Sequence, residues 1–262
     1  LGSMFGSLFG GGGGGGAPAS GGLLSTLLGS GSNAIGASLS KTLGFNVAPL
    51  LATVTPALIG IVSKLISADN LDAAGLAAKL KSEQAAFAAN PANKATMELV
   101  NSAVAAGDQA DAMIKSYGAD WPKVVAGPAA ALFLVAAADP SGPIGAMKEV
   151  SAVGDKLLEL AKGAAPTSVM AAAFGSGMTM DMLHQVKAVA PTKDKLLDSI
   201  KAAAAAVSAK SPNEARAYKD AIYAVAEAAA KASKDGGFLG FGGTLVSKDE
   251  QAALDTLKAA LG

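Results

Sequence analysis

Cysteine is absent from this chain, and histidine and arginine occur once each, as His184 and Arg216. These residue types supply most general bases, thiol nucleophiles, bidentate anion clamps and tight transition-metal ligands, so their scarcity argues against an ordinary enzyme active site. A disulfide framework and cysteine-based zinc sites are excluded outright. Aromatic residues make up only 5% of the chain, which leaves few large side chains to fill a core. No sign of charge dominates: Lys plus Arg and Asp plus Glu both total 21, and no stretch concentrates either. A nucleic-acid partner needs a basic stripe that displaces counterions, so none is expected.

What the chain does have is alanine, glycine and lysine. Hydrophobic residues reach 51% and charged residues 16%, a balance driven by alanine, the best helix former. Leu1-Gly2-Ser3 before Met4 looks like the remnant of a cleaved expression tag. Met4 to Phe9 has neither a basic n-region nor a sustained apolar run, so no secretory signal is visible and cytoplasmic residence is the expectation, with peripheral membrane association open. The unbroken glycine run at 10–16, followed by Ala17-Pro18-Ala19-Ser20-Gly21-Gly22, cannot bury apolar area and reads as a flexible linker.

Beyond it, breakers fall at helix-length intervals. Asn90-Pro91, Asp120 before Trp121-Pro122, and Ser211-Pro212 each set a capping side chain beside a first-turn proline, and Ser211/Glu214 and Ser247/Glu250 have capping-box spacing. Helices are predicted at 31–43, 47–54, 56–67, 71–89, 91–117, 121–138, 143–163, 166–174, 178–190, 192–209, 212–234 and 247–261. No segment alternates with period two long enough for a strand. The expected class is all-α, a multihelical globular bundle with buried central helices and a flexible Gly-rich N-terminal segment. It divides into 1–22 (tag remnant and flexible segment), 23–90, 91–210, and a C-terminal helical hairpin at 211–262 with a Gly/Phe-rich loop.

Two apolar stretches approach the length of a membrane span. Residues 47–66 are nearly uncharged, but Pro49 and Thr55-Pro56 interrupt them, and a helix starting at Pro56 would be only about 18 Å long against a hydrocarbon core of about 30 Å. Burial in the core is the expectation. Residues 124–138, interrupted by Gly127-Pro128, read as a central helix wrapped by others.

Leu-Leu-Ser-Thr-Leu-Leu-Gly at 23–29, Leu-Gly at 43–44, Thr-Pro-Ala-Leu-Ile-Gly-Ile-Val-Ser-Lys-Leu at 55–65 and Gly-Leu-Ala-Ala-Lys-Leu at 75–80 follow one another in an order that resembles the bacterial YidB-like family of unknown function. The resemblance covers 23–87, implies a multihelical fold with buried central helices, and carries no catalytic residue. Further on, a helix ending in Asp-Gly at 235–236 and Ser-x-x-Glu at 247–250 opening the next resemble the TerB-like tellurite-resistance helical domain over 213–261. The loop departs from that family's short acidic form by inserting Gly237-Phe238-Leu239-Gly240-Phe241-Gly242-Gly243.

Chemical candidates are few. Met178, Met180, Met182 and His184 are soft ligands suited to Cu(I), but helical spacing divides them between two faces, so packing is the competing reading and no metal is assigned. His184 has no triad partner in sight. Gly36 to Thr42 misses the glycine before lysine of a phosphate-binding loop, Gly237 to Gly243 lacks the preceding strand and spacing of a dinucleotide loop, and no cofactor is expected. Asp69 with Asp72, Asp108 with Asp111, and Asp249 with Glu250 read as helix caps and first-turn carboxylates rather than cation ligands. Trp121 is expected to pack where its helix begins.

The remaining specialised residues are large apolar side chains spaced by glycine: Phe5, Leu8 and Phe9 near the start, and Phe238, Leu239 and Phe241 near the end. Such segments are poor structure formers and good anchors. The sequence therefore points to a non-enzymatic bacterial scaffold or binding protein that self-associates or holds a protein partner through these segments. The alternatives are a membrane- or granule-surface protein, an apolar small-ligand carrier whose cavity is lined by 56–67 and 121–138, and a metal- or stress-response protein.

Overall fold

Alanine-rich composition dictates helices, and the punctuation between them decides where each stops. The computed structural model describes residues 31–140, 142–175, 180–190, 192–232 and 246–262, and among these the fold is all-α, with no strand. In chain order the helices are α1 (Ser32–Leu43), α2 (Ala48–Asp69), α3 (Ala73–Ala89), α4 (Lys94–Tyr117), α5 (Trp121–Ala136) and α6 (Gly142–Gly163). They are followed by α7 (Val169–Phe174), α8 (Met180–Val189), α9 (Lys193–Lys210), α10 (Ala215–Ala232) and α11 (Lys248–Leu261). Short 3-10 turns at Pro91–Asn93, Gly118–Asp120 and Pro212–Glu214 introduce α4, α5 and α10.

Some start signals work as their spacing suggests. Ser247 and Glu250 form the reciprocal capping box of α11: the Glu250 N–H donates to Ser247 Oγ at 3.2 Å and the Ser247 N–H to Glu250 Oε2 at 2.6 Å. Asn90 caps the 3-10 turn at 91–93, and Asp72 caps α3 by accepting from the Gly75 N–H at 2.7 Å. Others are used differently. Asp120 makes no capping bond to the backbone and holds Lys123 instead, at 2.6 Å. Ser211 accepts the hydroxyl hydrogen bond of Tyr117 at 2.8 Å, and Glu214 reaches across the fold to take the Val169 N–H at 2.8 Å, so the expected Ser211/Glu214 box is replaced by a cap on α7. Asp108 and Asp111 lie in the interior of α4, and Asp69 ends α2; these three are not N-terminal caps. Trp121 does pack where α5 begins, edge-on to Tyr117 with ring centroids 5.4 Å apart.

The core is built around α5, as its apolar composition predicts. Ala129, Ala130 and Ala131 have no exposed surface and Leu132 and Leu134 almost none, with α9 packed most extensively against the helix and α10, α8 and α11 completing the cover. Small residues set the spacing. A methyl at Gly127 would lie 2.6 Å from the Tyr218 hydroxyl and 2.9 Å from Ala203 Cβ, so glycine is what lets α10 and α9 approach. Pro128 lies inside α5 and cannot give an N–H to the carbonyl four residues back, Val124; the buried Tyr218 hydroxyl donates to that carbonyl instead. One hydrophobic core draws on residues from Tyr117 to Leu261.

A second contact region joins α1 to α4, α6 and α7. Ala34, Ala110 and Ala172 meet there without exposed surface, Asn33 Nδ2 donates to the Ala173 carbonyl at 3.0 Å, and Lys41 Nζ to the Ala164 carbonyl at 3.1 Å.

The departure from expectation is α2. Residues 47–54 and 56–67 form one helix of 22 residues with Pro56 inside it. Nor is the stretch buried in the core: of its most apolar window only 6% is buried. Its principal neighbour is α1, and that of α3 is the 3-10 turn that follows it, so the two helices form an arm beside the body rather than its centre.

Candidate functional site

The residues singled out by sequence are distributed unevenly. Phe5, Leu8, Phe9, Phe238, Leu239, Phe241 and Met178 lie outside the described residues. Met180 opens α8, Met182 follows half-buried, and His184 stands exposed one turn beyond Met180. The backbone is helical from Met180 to His184, which keeps Met182 on a different face from the other two positions. Among the described residues no three His, Asp or Glu side chains gather as a metal site would require. An open groove of about 320 Å3 lies where α5 ends, lined by Leu134, Ala137, Ala138, Lys193, Asp249 and Ala253 among others. Residues 56–67 contribute nothing to it.

Apolar exposure, by contrast, is segregated. Among the described residues ten of the eleven exposed large hydrophobics fall between Leu43 and Val104, the exception being Met147. Scattered apolar residues are normal on a soluble surface, whereas a contiguous concentration marks an interaction site. The densest part is α2, where Leu50, Val54, Leu58 and Ile61 are exposed, Ile61 to 63%.

The chemistry of α2 explains how such a helix persists. Its window has a mean hydropathy of 1.8, and between Ala48 and Asp69 the only charged residue is Lys64. All four hydroxyl side chains turn back onto the helix: Thr53 donates to the Pro49 carbonyl at 2.9 Å, Thr55 to Leu51 at 2.6 Å, Ser63 to Ile59 at 2.8 Å and Ser67 to Ser63 at 3.0 Å. Their hydrogen-bonding capacity is thereby spent inside the helix. At 1.5 Å per residue α2 is roughly 33 Å long, close to the thickness of a bilayer's hydrocarbon core of about 30 Å.

The arm as a whole is electrically balanced. Lys64, Lys79 and Lys81 are matched by Asp69, Asp72 and Glu83, and the α2–α3 turn is tied by an ion pair between Lys79 and Asp69 at 3.6 Å. The sequence signal for this site was the apolar run at 47–66. Proline there reads as a helix boundary, but the structure accommodates Pro56 within the helix. No family model, no curated protein and no solved structure matches this chain.

Proposed function

We propose that the protein acts by association rather than catalysis, as an all-α scaffold that docks on a membrane surface through α2. The observation that carries this is the exposure of a continuous 22-residue apolar helix that bears four of the eleven exposed large hydrophobics among the described residues. Lipid is favoured as the occupant because the helix is strongly apolar, with Lys64 its only charge between Ala48 and Asp69, and its hydroxyls are already bonded internally. Buried polar groups without partners are what lipid penalises most, and these four side chains offer none. Phe5, Leu8, Phe9, Phe238, Leu239 and Phe241 keep the role of auxiliary anchors, tested for the first three by truncating residues 4–22 and for the last three by substituting them with serine. The YidB-like order of residues 23–87 adds packing motifs to this proposal and no chemistry.

Vesicle flotation of the full chain tests it. With phosphatidylcholine vesicles the protein is expected to float, and the double substitution L58E/I61E to leave it at the bottom of the gradient with an unchanged thermal melt. A wild-type protein that stays wholly at the bottom sinks the membrane reading. If light scattering of that same sample shows a dimer or higher species that L58E/I61E dissolves, the occupant of α2 is a second copy of the chain and not lipid.

A further inference from the structure

We infer that the groove where α5 ends binds a small zwitterion, of the class of a free α-amino acid with an aliphatic side chain. The site is separate from α2 and stands on different observations.

The groove is a product of how three helices meet. α9 runs antiparallel to α5, with Ala203 against Gly127, so the start of α9 arrives at the end of α5. α11 packs on both, and its first turns reach the same place. Alanine occupies the positions between them: Ala137 and Ala138 just past α5, and Ala252 and Ala253 in α11. Side chains of a single carbon leave about 320 Å3 open, with the buried Leu134 among the walls. Ligand sites run from about 300 to 1,000 Å3, so this one suits a small molecule.

The charges select its chemistry. α9 and α11 each start with one lysine and one aspartate, Lys193-Asp194 and Lys248-Asp249, and each gives one of the two to the groove: Lys193 without Asp194, and Asp249 without Lys248. Among the described residues neither Lys193 nor Asp249 forms an ion pair, with the other or with any third side chain. The groove therefore offers one cation and one carboxylate, on two different helices, beside an apolar surface.

An anion alone meets Asp249 and a cation alone meets Lys193, while a purely apolar guest takes water from both charges and returns nothing. A molecule with a carboxylate for Lys193, an ammonium for Asp249 and a short aliphatic group for the alanines satisfies all three demands. Asp249 also stands in the first turn of α11, where a carboxylate stabilises the helix whatever the groove holds. Ligand binding, and not stability, is the readout that separates these two roles.

L-Leucine is the probe, titrated into the full chain by calorimetry beside isocaproate and isopentylamine, which keep its aliphatic group and lack the ammonium and the carboxylate respectively. Saturable binding of L-leucine at millimolar concentration or below is expected, with each analogue weaker by about tenfold or more, the worth of one charge-assisted contact. Lys193→Met and Asp249→Asn should each weaken L-leucine by a similar factor, and Ala252→Leu, which fills the groove, should abolish binding. All three positions are exposed, so circular dichroism should show unchanged helix content. No saturable binding of L-leucine overturns the proposal. Binding that K193M and D249N leave unchanged overturns it as well, since the ligand then sits elsewhere, and so does either analogue binding as tightly as L-leucine, which removes the need for both charges.

Discussion

The hydroxyl of Tyr218 donates to the main-chain carbonyl of Val124, the acceptor in α5 that Pro128 leaves without its helical N–H. Both residues are buried, Val124 completely, so an unmet carbonyl there would lie beyond the reach of solvent. The proline that interrupts the central helix is thus compensated by a side chain from α10, 94 residues away in sequence.

Tyr218→Phe should destabilise the fold by roughly 1–3 kcal/mol, the cost of an unsatisfied buried acceptor. Pro128→Ala restores an N–H four residues beyond Val124, so the same Tyr218→Phe change should cost less in that background. A double-mutant cycle by urea unfolding measures the difference, and equal costs in both backgrounds would remove the compensation.

Burial holds the Tyr218 hydroxyl well above the ordinary tyrosine range and raises that of Tyr117 too, where the Ser211 hydrogen bond opposes the shift and Glu214 adds to it. A tyrosine in the unfolded chain ionises near about 10, so above that pH the unfolded state sheds protons that the folded state retains. The stability linked to these groups is complete below about pH 10 and falls as pH rises beyond it. Urea midpoints should drop across this range, and Y218F should flatten the drop. A wild-type midpoint independent of pH there would contradict the assignment.

Glycines in helices should divide by their surroundings. Gly127→Ala forces a methyl against Tyr218 and Ala203 and should cost about 1–3 kcal/mol as overpacking. At Gly154 in α6 and Gly60 in α2 a methyl meets nothing within 4 Å, so alanine there should stabilise by about 0.5–1 kcal/mol through helix propensity. Thermal melts of the three variants give the signs directly.

Glu214→Ala removes the carboxylate that accepts from Val169 at the start of α7, and Ser247→Ala breaks the capping box of α11. Each should cost about 0.5–2 kcal/mol. Hydrogen exchange would distinguish them: protection should fall in α7 for the first and at the beginning of α11 for the second.

Vesicle binding should be insensitive to salt and to anionic lipid, because the lysines of the arm are matched by an equal number of carboxylates. Flotation at low and high ionic strength checks this, and strong salt dependence would move the attachment away from α2.

The all-α class and the α11 capping box were legible because each depends on residues within a turn or two of one another; the expectation that 124–138 is central also held, but it rested on the same apolar composition that misplaced 47–66. Where a local signal met a longer-range competitor, it failed. Ser211 and Glu214 have the spacing of a box, yet Tyr117 and Val169 claim their polar atoms across the fold. The site was half legible: the apolar run at 47–66 was conspicuous, but composition cannot distinguish a helix that others cover from one they leave bare.

Sequence by itself determined that this chain is helical, since alanine content, capping side chains and breaker spacing act locally and need no partner. It determined as well that histidine, arginine and cysteine chemistry is nearly absent. Tertiary structure decided which helices are inside. Gly127 admits Tyr218 and Ala203 against α5 and so makes that helix the core, while α1 and α4 close on each other and leave α2 beside the body, with its apolar stripe uncovered. Burial is a property of how helices pair, and pairing depends on contacts far apart in the chain.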